Sequence, residues 1–190
     1  MKRKVGILGG TFDPPHLGHL IIANEVLDQL GLDEVKFMPN QEPPHKTRNT
    51  GTNASDRLKM LELAIEDHPK FSLETIELER QGRSYTYDTM NELKEKNPDV
   101  DFYFIIGADM VEYLPNWHKI DELVKFVRFV GTNRPHFRLA TPYPIQYVKV
   151  PQVDISSSLI RNRIKTGKSV KYLLPDKVIR YMEGNRLYGS

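Results

Sequence analysis

Residues 9–19 read GGTFDPPHLGH, with the imidazoles of His16 and His19 three apart around Gly18. The run follows a short apolar stretch and precedes a segment of helical spacing. With a helix beginning near Leu17, His16 lies at its mouth and His19 in its first turn, and side chains three apart share a face. Both rings then look into the space before a helix N-terminus, where free N–H groups and the dipole favour anions. Gly9, Gly10 and Gly18 leave room for a ligand to approach the backbone. Imidazole adds a donor that is neutral or cationic near pH 7. The combination suits charge building on phosphate oxygens as a phosphoanhydride bond breaks. It is not the dinucleotide fingerprint, because G-x-G-x-x-G is absent. Two blander readings stand beside it: a metal site with Asp13 as the nearby extra ligand, and a surface histidine pair next to a glycine turn.

A second set of polar groups lies in ISSSLIR, residues 155–161. Ser156 can cap a helix there, which puts Ser157 and Ser158 in the first turn with hydroxyls and free amides outward. Arg161 is four after Ser157 and three after Ser158, on the same face. Hydroxyls, amides and a guanidinium fork together make a phosphate cradle. Taken alone, the stretch also reads as an ordinary capped helix with a surface arginine.

The elements that must position these groups alternate along the chain. Apolar runs at 4–10, 33–40, 101–107, 126–133 and 145–151 read as strands. Segments 17–31, 54–68, 119–125, 155–167 and 175–185 read as helices, with Leu58, Leu61 and Ala64/Ile65 on the apolar face of the second, and 82–97 starts as a loop and becomes a helix. Segment 71–80 alternates and reads as a strand or strand pair, and 41–53 is a polar loop with two prolines. This order predicts an α/β fold with a mainly parallel sheet, in which ligands bind beyond the carboxyl ends of the strands. The 190 residues fit a single domain, residues 1–190, with a C-terminal helical subregion from about 156.

Composition narrows the partners. Twenty-seven basic against 25 acidic residues, for a formal charge of +2, give no electrostatic footprint for nucleic acid. No apolar run approaches the ~20 residues of a membrane span, and the N-terminal apolar stretch is too short for a secretory h-region. The absence of cysteine excludes disulfides and thiolate metal sites. A soluble, cytoplasmic protein is expected, with no nucleic-acid or membrane partner and no resident metal ion. The oligomeric state is not set by the sequence; a homodimer is carried forward as one assembly.

The H-x-G-H after the first strand, together with I-S-S-S-L-I-R near the C-terminus, resembles the nucleotidylyltransferase superfamily. Within it the chain is similar to the bacterial nicotinate-nucleotide adenylyltransferases. The resemblance extends over GGTFDPPHLGHL, PNQEPPHK, GRSYTYDT, FIIGADMVEYLPNWHK, DISSSLIR and YLLPDKVIRYMEGNRLY. It implies a Rossmann-like parallel sheet flanked by helices, with a small C-terminal helical part. It implies transfer of the adenylyl group of ATP to nicotinate mononucleotide in NAD biosynthesis, with Mg²⁺ held on the ATP phosphates. His16, His19 and Arg161 would be the catalytic groups. Gly9, Gly10, Thr11, Phe12, Gly18, Lys46, Gly107, Asp109, Ile155, Ser157 and Ser158 would contact ATP, with His45 a weaker candidate beside Lys46. Ser158 stands where relatives often carry threonine, and the hydroxyl is retained. A lesser alternative for Asp109 is an exposed helix cap.

The second substrate would sit at Tyr85, Thr86, Trp117 and Tyr113. Tyr85 and Thr86 open a helix whose free amides suit a carboxylate. Trp117, the single tryptophan, is either a core aromatic or a stacking surface for a pyridinium ring. The rival readings are a sister enzyme acting on nicotinamide mononucleotide or another phosphorylated acceptor, a non-catalytic nucleotide-binding module, and a metal-dependent hydrolase using Asp13, His16 and His19.

Overall fold

The computed structural model describes residues 2–40, 52–80, 84–132 and 141–189, and of Ala108 and Asp109 the backbone alone. The first strand, β1 (Arg3–Gly10), carries Ile7 and Leu8 as adjacent buried residues. Adjacent residues of a strand face opposite sides of the sheet, so β1 is covered on both faces. The same holds for β4 (Val100–Gly107), where Phe104 and Ile105 are both buried. Such double burial is what makes parallel strands read as continuous apolar runs.

Four further strands complete the sheet: β2 (Glu34–Pro39), β3 (Phe71–Leu73), β5 (Val127–Thr132) and β6 (Ile145–Val148). All pairings are parallel, in the order β3-β2-β1-β4-β5-β6. This is the Rossmann-type order, and its direction of winding reverses between β1 and β4. The registered pair Leu8 and Ile105 sits two residues before both strands end, at Gly10 and Gly107.

One face of the sheet packs Ile7, Phe104, Ile106 and Phe129 under α4 (Thr86–Lys96) and α6 (Ile120–Leu123). The other packs Leu8, Phe37, Ile105 and Val130 under α1 (Leu17–Gln29) and α2 (Ala54–Ile65). A third cluster joins Met60 of α2 to α7 (Ser157–Lys165) and α8 (Asp176–Gly184) through Ile160, Val178 and Met182. Both α1 and α7 close on a left-handed glycine, Gly31 and Gly167. The following amides, Leu32 and Lys168, bond back to the carbonyls of Leu27 and Arg163. These are Schellman stops, and only glycine adopts that backbone at no steric cost.

Three sequence expectations change. Segment 71–80 is the short strand β3 followed by the helical turn α3 (Ile76–Glu79). The turn carries Ile76 into the core and lets the buried Glu77 carboxylate accept from Thr89 Oγ1 at 3.0 Å. The buried face of α2 keeps the expected Leu61 and Ile65 and adds Arg57 and Met60, while Leu58 is only half-buried. A helix unmarked in the sequence reading, α5 (Ala108–Tyr113), leaves β4 at once and buries Val111.

Candidate active site at the ends of β1 and β4

The loop between β1 and α1 is held from behind through its carbonyls. Gly10 O accepts from the Asn40 amide (3.0 Å) and Thr11 O from Arg57 Nη1 (2.9 Å). Asp13 O accepts from Arg161 Nη1 (2.6 Å) and Pro14 O from the Ser157 hydroxyl (2.9 Å). The Asp13 carboxylate is buried and takes hydrogen bonds from Thr52 Oγ1 (2.6 Å) and Tyr188 OH (2.5 Å). Burial, then the Asp13 charge, pushes the Tyr188 phenol well above its ordinary range, so it stays a donor. Asp13 therefore braces the loop. Among the described residues no group of three or more His, Asp or Glu is placed to hold a metal ion.

The glycines make room for the protein's own rings. A Cβ on Gly10 would lie 2.9 Å from the Phe12 ring, and one on Gly18 would lie 3.0 Å from His16 Nδ1. One on Gly9 would meet Phe104 at 3.3 Å. Phe12, at φ 49°, is folded back over Gly10 and presents its ring edge to His19, centroids 5.0 Å apart. The glycine pattern thus sets where His16 and Phe12 sit, and through Phe12 it sets His19.

The imidazoles stack with centroids 3.7 Å apart and planes 24° from parallel. The His16 backbone N–H donates to His19 Nδ1 at 3.2 Å. The neutral ring therefore carries its proton on Nε2, which is left as a donor. Burial, then the nearby His16, holds the His19 pKa well below the usual imidazole value, although the residue keeps partial solvent access. At neutral pH His19 is an uncharged donor. The helix end is less open than its sequence implied. The Leu17 amide donates to Leu173 O (3.0 Å) and the His19 amide to His16 O (2.9 Å), so these two first-turn amides are already engaged.

The depressed His19 pKa has a consequence for stability. The unfolded chain takes up the proton near 6.5, whereas the folded chain resists it until lower pH, so acidification through that window favours unfolding. The Tm of the wild type is expected to fall between pH 7 and pH 5 more steeply than that of His19→Asn, as read by scanning calorimetry. Equal slopes would mean that His19 is not held neutral by the fold.

Ser156 caps α7 as expected, accepting from the Leu159 amide at 3.1 Å. The Ser157 hydroxyl is not turned outward; it is spent on Pro14 O. Ser158 Oγ accepts from Arg161 Nη2 at 3.1 Å, and Ile155 packs into the third core cluster. The two motifs, 143 and 148 residues apart along the chain at their contacts, are therefore one assembly joined by direct hydrogen bonds.

At the end of β4, Gly107 is the N-cap of α5 and lies in register with Thr132. Asp109 falls in the first turn of α5, and its side chain lies outside the described residues. Lys46 and His45 also lie outside them. Tyr85 is the N-cap of α4 and Thr86 its first residue; the half-exposed Tyr85 ring leans on His118, centroids 4.7 Å apart. Trp117 is part core: its ring meets Phe104 and Phe129 edge-on, both at 5.9 Å, while retaining partial exposure. Tyr113, at the end of α5, is exposed. The Tyr85–His118 contact brings the start of α4 beside the Trp117 segment. Arg57, Thr52, Tyr188 and His118 escaped the sequence reading. Only Arg57 carried a signal, standing three before Met60 and four before Leu61 on a buried helix face.

The cytidylyltransferase-like family profile matches residues 7–163. A Geobacillus thermodenitrificans protein described as a probable nicotinate-nucleotide adenylyltransferase is 60% identical over 98% of this chain and 87% of its own. The nicotinate-nucleotide adenylyltransferase of Bacillus subtilis is 54% identical, over 99% of this chain and all of its own, 100%. Among solved structures, Plasmodium falciparum nicotinic acid mononucleotide adenylyltransferase complexed with NaAD superposes with a TM-score of 0.83. That match covers 98% of this chain and 97% of the other at 22% identity, and it speaks for the fold. The chain belongs to the cytidylyltransferase-like nucleotidyltransferases and, within them, to the nicotinate-nucleotide adenylyltransferases.

Proposed function

We propose that the chain transfers the adenylyl group of ATP to nicotinate mononucleotide, giving nicotinate adenine dinucleotide and pyrophosphate in NAD biosynthesis. The observation that carries the reading is the convergence of the His16–His19 pair and the Ser157, Ser158 and Arg161 set on one loop at the β1/β4 switch point. A 5′-phosphate oxygen of the mononucleotide attacks the α-phosphorus in line. The bond from that phosphorus to its bridging oxygen breaks, and pyrophosphate leaves with the electron pair. The attacking oxygen is already anionic, so no side chain has to act as nucleophile. Catalysis is positioning plus charge stabilisation.

His19 Nε2–H supplies a fixed donor to the reacting phosphate, and His16 holds its orientation through the backbone contact to Nδ1. Arg161 and Ser158 take the β- and γ-phosphates, with Lys46 arriving from the polar loop. Gly107 and Asp109 take the ribose. Mg²⁺ travels with ATP as part of the substrate, coordinated chiefly by phosphate oxygens and water. The Tyr85 and Thr86 amides meet the nicotinate carboxylate while Trp117 and Tyr113 flank the ring. A cytoplasmic location and a homodimer belong to the same reading; sedimentation measures the latter. Among the described residues no helix is long and apolar enough to cross a membrane.

Pyrophosphate release with ATP and Mg²⁺ tests the reading. The acid mononucleotide is expected to exceed the amide by at least about 10²-fold in kcat/KM, because donors built for a carboxylate are left unpaired by an amide. Comparable values for both would overturn the role of Tyr85 and Thr86. Release with neither would overturn the choice of acceptor.

A further inference from the structure

Among the described residues the largest fully buried side chain is a cation: Arg57 of α2, 1% exposed. Burying a guanidinium is far more costly than burying an apolar side chain of the same size. At this position the helix spacing calls for an apolar residue, since Met60 and Leu61 share its face. Something other than packing therefore accounts for arginine here. Its Nη1 donates to the carbonyl of Thr11, 46 residues away, inside the loop that carries the first motif.

A trans peptide is planar, so its C=O and the next N–H point in opposite directions. The Gly10 carbonyl points to Asn40, which directly follows β2. The Thr11 amide then points the other way, toward β4, because β1 lies between β2 and β4. The Thr11 carbonyl points to Arg57 on α2, which packs over β2 and β3. The Phe12 amide consequently faces away from α2. Phe12 itself lies in the left-handed region, and its ring centroid is 5.0 Å from that of His19. Without the Arg57 contact nothing described on the α2 side holds the Thr11 carbonyl in that orientation, and this peptide is free to turn.

We propose that Arg57 is a positioning residue for adenylyl transfer, fixing the Thr11–Phe12 peptide so that the Phe12 N–H faces the phosphate that reacts. It rests on the reaction proposed above and deepens it. Arg57 acts through the loop and touches no substrate. Its loss should lower the rate of the chemical step while the mononucleotide still binds on the opposite side of the crevice.

The test compares Arg57→Met and Arg57→Lys with the wild type in pyrophosphate release, with circular dichroism and Tm as controls. Arg57→Met is expected to lose about 10–30-fold in kcat, a fraction of what removing a direct transition-state donor costs. Its KM for nicotinate mononucleotide should stay within about threefold. Arg57→Lys should recover part of the kcat, since an ammonium can still donate to one carbonyl. A folded Arg57→Met with unchanged kcat overturns the proposal. So does an equal loss in both variants that follows Tm alone, since that marks a purely structural brace. If Arg57→Met does not fold, Arg57→Lys and Arg57→Gln carry the same criteria. Were the wild type itself inactive with every acceptor, the reaction would fail as a reading. Arg57 would then be judged on pyrophosphate affinity, expected to drop about tenfold in Arg57→Met and, if unchanged, decisive against it.

Discussion

His19→Ala is expected to lower kcat for adenylyl transfer by about 10²–10³-fold while the KM for ATP moves by no more than about threefold. The magnitude is that of one preorganised donor aimed at developing negative charge, about 3–4 kcal/mol. The structure gives His19 that character. Its Nδ1 is occupied by the His16 backbone N–H, its Nε2 keeps the proton, and the Phe12 ring and the His16 stack fix its plane. A donor locked in place before substrate arrives needs no reorganisation as charge builds. It binds ground-state phosphate only modestly because it is neutral, which is why the loss should fall on kcat rather than on KM. His19→Asn retains a polar group near the same place and separates lost donation from lost packing against Phe12. Steady-state kinetics of the two variants decide it. An unchanged kcat in His19→Ala would remove this side chain from the transition state.

The parts of this site that were legible in the sequence are local ones. His16 with His19, and Ser158 with Arg161, meet because helical spacing brings residues three apart together, and the caps of α7 are written in Ser156 and Gly167. The strands at 4–10 and 101–107 were equally plain, as apolar runs stopped by glycine. What the string does not contain is the choice of distant partner. Nothing in the types of Ser157, Arg57 or Tyr188 says that they close on Pro14, Thr11 and Asp13. What the glycines accommodate within the protein is hidden for a related reason. A missing side chain looks the same in sequence whether the space is taken by a ligand or by Phe12 and His16. Segment 71–80 misled because Phe71 and Leu73 do alternate, and only the hydrogen bonds of the Leu78 and Glu79 amides back to Thr75 O (2.8 and 3.2 Å) distinguish a helical turn from a continued strand.

Arg161→Ala carries the second large effect, and the structure alters what it should look like. From sequence alone the guanidinium is a phosphate ligand, and its loss should weaken ATP and pyrophosphate together. In the fold it also donates to Asp13 O and to Ser158 Oγ. To grip a phosphate it exchanges a neutral carbonyl for anionic oxygens, and charge-assisted bonds are roughly twice as strong as neutral ones. Gaining ATP and releasing the loop carbonyl are then one event. Arg161→Ala should therefore raise the KM for ATP by about 10–100-fold, the range for losing a hydrogen bond to a charged group. It should also lower kcat by about tenfold, because the leaving pyrophosphate gains negative charge as its bond breaks and would have lost the guanidinium that meets it. Arg161→Lys should restore little, since an ammonium cannot span the two sites with a planar fork. Calorimetric titration with pyrophosphate separates the two contributions. An affinity that falls with that for ATP places Arg161 on the β- and γ-phosphates. A retained affinity with a reduced kcat would leave it with the loop alone and would remove the second cradle from the mechanism.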